Sequence, residues 1–225
     1  MRRSSRSWIR AAGIGGFCLA TLVPAPGASA LRLEPGDIVV AELRIEGGGG
    51  GLIHVDPPTG KQRVLSSNDQ AVNAGATELF DDPYDVTVTP RGRLLAAEEY
   101  DAGDPSDGGV IGVNPRNGKQ ELVSSNALAV NMGTRELFVD PWGVIALPGS
   151  GIVVGDYNAF GGDGGLIGVS EKTGGERVFS SNDQPVNSGS SELLTAPARI
   201  QELELRRIPV IVSRPPPAVK PRARR

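Results

Sequence analysis

Acidic side chains return at one place in this sequence. Glu42, Glu98 and Asp156 each end an apolar run, IVVAE, LLAAE and GIVVGD. Their oxygens would suit Ca²⁺ or Mg²⁺, both hard cations. The same oxygens can instead accept hydrogen bonds from loop amides. A carboxylate supplied once per repeat fits that structural task better, because a catalytic group is needed only once. Asp101, Asp104 and Asp107 have the carboxylate density of a calcium loop, and Asp163 falls in the corresponding loop. That cluster lacks the Glu that closes an EF-hand, and Pro105 stiffens its middle, so a solvated loop competes with a metal loop. The metal candidates are Glu98, Asp101, Asp104 and Asp156.

Two rings follow Asp-Pro steps. Tyr84 comes after Asp82-Pro83, and Trp142 after Asp140-Pro141. A ring beside a carboxylate can stack on a sugar or another flat ligand, or it can pack between repeat units. Tyr84, Trp142, Asp82 and Asp140 are therefore the ligand-binding candidates. Asn68, Asn73, Asn126, Asn131, Asn182 and Asn187 also recur, and their amides are expected to pin the long loops to their own backbone. His54 is the only histidine and replaces a glycine found at Gly112 and Gly168. One unrepeated histidine reads as a surface residue. It leaves almost no material for a Ser-His-Asp triad or a multi-histidine metal site.

The elements that position these residues form a repeat. SSN recurs at Ser66, Ser124 and Ser180, VN at Val72, Val130 and Val186, and ELF or ELL at Glu78, Glu136 and Glu192. Each interval is 58 and then 56 residues. Three anchors with one spacing indicate a repeat array, and this length suits propeller blades. Within a unit the apolar period is two. In the second unit Tyr84 to Thr89, Leu94 to Tyr100, Val110 to Val113 and Gln120 to Ser124 read as strands. Pro90-Arg91-Gly92 and Pro115-Arg116-Asn117-Gly118 are tight turns between them. Four short antiparallel strands without a helix make a blade. Alternating strand direction puts the tight turns on one face and the long SSN-to-DP loops on the other. Binding residues are expected on the long-loop face.

The run from Asp82 to Ser125, DPYDVTVTPRGRLLAAEEYDAGDPSDGGVIGVNPRNGKQELVSS, resembles one blade of the NHL-repeat and gluconolactonase-like β-propellers. The resemblance covers roughly Asp37 to Pro197. It implies an all-β fold of about three four-stranded blades, with Tyr84 to Thr89 and Trp142 to Leu147 as innermost strands and the SSN strands outermost. Ile38 to Leu43 is then a second strand with no innermost strand before it. Three blades fall short of the usual four to eight. A truncated or frame-shifted gene, two chains paired into one ring, and an open curved array all account for that. Ala198 to Leu205 reads as a spare strand. A closed ring of three blades is not expected, so the chain should self-associate.

Residues 1–30 have the basic start, apolar centre and Ala28-Ser29-Ala30 site of a signal peptide. The chain is expected to be secreted or periplasmic, with no transmembrane segment after cleavage. Lipid attachment at Cys18, after Phe17, is not expected. Cleavage removes that cysteine and with it disulfides, thiolate metal sites and cysteine nucleophiles. A net charge of -3 argues against general nucleic-acid binding. The Arg- and Pro-rich tail, 206–225, reads as disordered.

The leading expectation is a secreted, non-catalytic propeller-like module that binds a small molecule or protein on its long-loop face. The alternative is a divalent-metal-dependent lactone hydrolase or lyase of the gluconolactonase-like or virginiamycin B lyase-like class. The resemblance places the metal of such enzymes at a central channel, but no ligand set matches residue by residue here.

Overall fold

The computed structural model describes residues 33–45, 49–74, 78–100, 108–132, 136–149 and 151–187, with 194 and 197. The expected signal peptide, the spare strand 198–205, the tail, and Asp101, Asp104 and Asp107 lie outside these described residues.

The fold is all-β, with three antiparallel sheets that each follow chain order. The first has three strands: β1 (Ile38–Glu42), β2 (Gly51–Val55) and β3 (Gln62–Ser67). The second has four: β4 (Pro83–Val88), β5 (Leu94–Glu98), β6 (Gly109–Val113) and β7 (Gln120–Ser125). The third runs from β8 (Pro141–Leu147) through β9 (Gly151–Asp156) and β10 (Gly165–Ser170) to β11 (Glu176–Ser180). Sequential meanders of this kind are propeller-type blades, and the described residues form an incomplete propeller.

Tight turns set the register. The Asn114–Lys119 turn is closed by Asn114 N–H to the Lys119 carbonyl at 2.9 Å, and Asn114 Oδ1 accepts the Arg116 amide. Alternation in the middle strands then sorts side chains onto two faces, both buried. Leu94 and Ala96 of β5 point toward the first sheet and join Leu52, Leu65 and Phe80. Leu95 and Ala97 point the other way and join Val144, Ile152, Val154 and Ile167 of the third sheet. Two apolar layers, one at each junction, hold the array together.

Among the described residues two short elements depart from the all-strand expectation, one of them a 3-10 turn at Pro185–Asn187. In the loop after β9, Ala159–Gly162 forms a short helical turn, with Phe160 at φ 61°. A non-glycine residue in the left-handed region is strained. Phe160 is held there because its ring is buried in the second junction.

Candidate functional site

The long-loop face is organised by the two buried acids at the strand ends. Asp156 Oδ2 accepts the Val139 amide at 2.8 Å, and Oδ1 accepts those of Asp140 (3.2 Å), Asn158 (3.1 Å) and Ala159 (2.7 Å). Glu98 Oε1 accepts the Asp82 amide at 2.7 Å. Both residues are fully buried. Burial pushes the Glu98 carboxyl up to about 9, against the pull of the Asp82, Asp81 and Tyr100 amides. It raises that of Asp156 as well, against the same kind of amide bonds. These acids fasten the loop that leads into each inner strand. Their equivalent Glu42 is only partly buried and accepts a long bond from the Arg44 amide.

On that scaffold each inner strand begins with a bulge. Pro83 pairs with Glu98 and Asp85 with Ala97, leaving Tyr84 out of the ladder. Pro141 pairs with Asp156 and Gly143 with Gly155, leaving out Trp142. A bulge re-aims its extra side chain. Here both rings swing into one row across the junction. Tyr84 and Trp142 stack with centroids 5.0 Å apart and planes 9° from parallel. Tyr157 stacks on Trp142 at 4.4 Å. Of the three, Tyr84 is the exposed end.

Carboxylates border the row. The Tyr84 hydroxyl is pushed up to about 12, first by partial desolvation and then by its hydrogen bond to Glu99. Tyr100 shares that acceptor, which raises its hydroxyl too. Asp140 accepts the side-chain amide of Asn158, and Asp82 stands at the foot of β4. The indole Nε1 of Trp142 is buried with no hydrogen-bond partner among the described residues. The structure thus brings Tyr84, Trp142, Asp82 and Asp140 to one place. It adds Tyr157 and Glu99, which occupy the same position in their respective units and differ in type, so repetition did not signal them.

The recurrent asparagines divide into two sets. Asn68 and Asn126 pin their own long loops, accepting amides of residues 79–80 and 137–138 and donating to the Phe80 and Phe138 carbonyls. Asn182 does the same with Leu194. Asn73 and Asn131 reach the following unit instead. Asn73 donates to the Gly118 carbonyl at 3.1 Å and accepts the Gln120 amide at 3.0 Å. Asn131 repeats this with Gly174 and Glu176. Asn187 donates to the Ser181 carbonyl at 2.7 Å.

His54 differs from expectation. It is buried rather than on the surface, with Nε2 3.3 Å from Asp37 Oδ1 and Nδ1 accepting from Arg63 Nε. The Glu34 amide and then His54 hold Asp37 below the usual carboxylate range. A cavity of about 1000 Å³ also opens on the tight-turn face, the side opposite the expected site. Val39 of β1, Val86 and Val88 of β4, and Arg91, Arg93, Arg116 and Lys119 line it.

Among the described residues no three His, Cys, Asp or Glu side chains converge as a metal site, and no helix is long and apolar enough to cross a membrane. No protein-family model matches the chain, and no curated protein matches it.

Proposed function

We propose that this chain is an extracytoplasmic binding module of the NHL-repeat, gluconolactonase-like propeller type, and that its long-loop face takes a polyhydroxylated ring such as a glycan residue. One observation carries the reading. Two bulges deliver Tyr84 and Trp142 into a row of rings bordered by Asp82, Glu99 and Asp140. An aromatic face covers the C–H surface of a sugar while carboxylates accept its hydroxyls. The exposed platform is Tyr84. No step of bond breaking is assigned, because Glu98 and Asp156 are both buried; Asp156 spends both oxygens on loop amides, and Glu98 Oε1 accepts the Asp82 amide.

Trp142 is the only tryptophan beyond the expected leader, since the other is Trp8. Its emission therefore reports on this row alone in a chain starting at residue 31. Titration with a panel of neutral and acidic oligosaccharides should give a saturable change, lost in Tyr84→Ala and retained in Arg116→Ala. A response that survives Tyr84→Ala, or none with any sugar, would reject the reading.

A further inference from the structure

The two junctions inside the molecule are built alike, and each outer sheet displays half of a third. Sheet register equates Ile38 and Val40 with Leu94 and Ala96, and with Ile152 and Val154. In the second and third sheets these positions face the preceding sheet and are buried. In the first sheet Ile38 is 46% and Val40 39% exposed. At the other end the outer strands share a bulge that leaves out Leu65, Val123 and Phe179 in turn. Leu65 and Val123 pack into the following sheet, at 5% and 7% exposure, whereas Phe179 is 41% exposed.

The polar lock is divided the same way. Ser66 donates to the Gly118 carbonyl, and Gln120 Nε2 donates back to Ser66 Oγ; Ser124 donates to Gly174. Ser180 carries the same hydroxyl and is half-buried. The matching turn in the first sheet is Gly60 with Gln62, and Gln62 is exposed where Gln120 is buried. A side chain on Gly118 would strike the Leu65 carbonyl, and one on Gly174 the Val123 carbonyl. At Gly60 there is nothing within 4 Å.

We propose that the exposed face of the third sheet receives the first sheet of a second copy of this chain, with Phe179 and Ser180 set against Val40, Gly60 and Gln62. The contact repeats the junction already present twice in each copy. Two copies joined reciprocally make six sheets in a two-fold ring, within the four to eight that propellers use. This inference is independent of the ligand reading.

Light scattering on the purified chain should return the mass of a dimer. Val40→Arg and Phe179→Asp, both at side chains exposed in a single copy, should each halve that mass with the circular dichroism unchanged. Mixing the two variants should recover dimers, because one of the two contacts is then wild type and the other pairs opposite charges. Should either variant lose its dichroism, Ser180→Arg should halve the mass in its place, and the mixing arm is dropped. A monomeric wild-type chain, dimers that survive the substitutions, or a mixture that stays monomeric would each overturn the proposal.

Discussion

The junction between the first and second sheets and the junction between the second and third share one polar design but differ in bulk. Both are locked by an asparagine and a serine that reach the next unit's glycine turn. The first is packed by eight buried apolar residues and the second by fourteen. Of the six further residues, Val144 and Ala146 come from β8, Leu95 and Ala97 from β5, and Ala159 and Phe160 from the helical turn. β4 also lies against β8, where Asp85 Oδ2 accepts the Val144 amide at 3.0 Å. Among the described residues the three-stranded first sheet brings no inner strand to its junction. Hydrogen bonds therefore set which surfaces meet, while the extra apolar bulk from β5, β8 and the helical turn sets how firmly they hold.

The strongest way to break this comparison is to empty each core in turn. Phe138→Ala, in the second junction, should cost about 3 to 5 kcal/mol and lower stability for every probe together. Phe80→Ala creates a similar cavity in the first junction, but its main effect should be fast amide exchange confined to β1–β3. Equal, global effects in both variants would show that the junctions are alike in strength.

Next in size is the response to pH. The Glu98 carboxyl is raised from 4.5 to about 9 in the folded state, so the folded state binds the extra proton between those values. Its contribution is fully present below pH 4.5 and is lost as pH rises toward 9, by up to about 1.4 kcal/mol per pH unit. Asp156 is shifted in the same direction. Denaturant midpoints should fall across that window in the wild type and fall less steeply in Glu98→Gln, which keeps the acceptor for Asp82. A slope unchanged in the variant would remove Glu98 as its source.

The locks give a smaller contrast. Among the described residues Asn131 makes at least four hydrogen bonds, one of them to the Glu176 side chain, and Asn73 makes three. Alanine at Asn131 should cost more than at Asn73, each on the order of 1 to 3 kcal/mol; the reverse order in urea melts would mean that the glutamate adds nothing. Smallest is Tyr84→Ala. It removes one stacked pair, about 0.5 to 1.5 kcal/mol, and should leave exchange at the first junction untouched.

The period of the SSN strands was enough to place the four strands of the second sheet, with β1 and β8, within a residue or two. The unbroken apolar run Leu94–Ala97 also suits a strand buried on both faces. Less was legible where one residue's partner lies in another unit. Asn68 and Asn73 look interchangeable in sequence, yet one pins its own loop and the other the next sheet, because their partners are backbone groups that carry no side-chain signature. Tyr84 and Trp142 stand out in the sequence, but their stacking into one row with Tyr157 does not, for two reasons. A bulge flips Tyr84 and Trp142 out of the strand alternation, and Tyr157 takes the place of Glu99 in its unit. His54 reads as a surface residue in sequence because its partner, Asp37, precedes the first recognisable strand. The cavity on the tight-turn face is lined by turn arginines that read simply as solvated charge.

The locks also have a direction. Asn73 and Ser66 are buried, yet the Gly118 carbonyl they need comes 45 residues after Asn73. A ribosome adding about 5 to 20 residues per second leaves those groups waiting roughly 2 to 9 s after they emerge. Each hook is made before its eye, so the units can seal only in the order of their synthesis. A pause in translation between Asn73 and Gly118 would hold the first sheet unlatched for its whole duration.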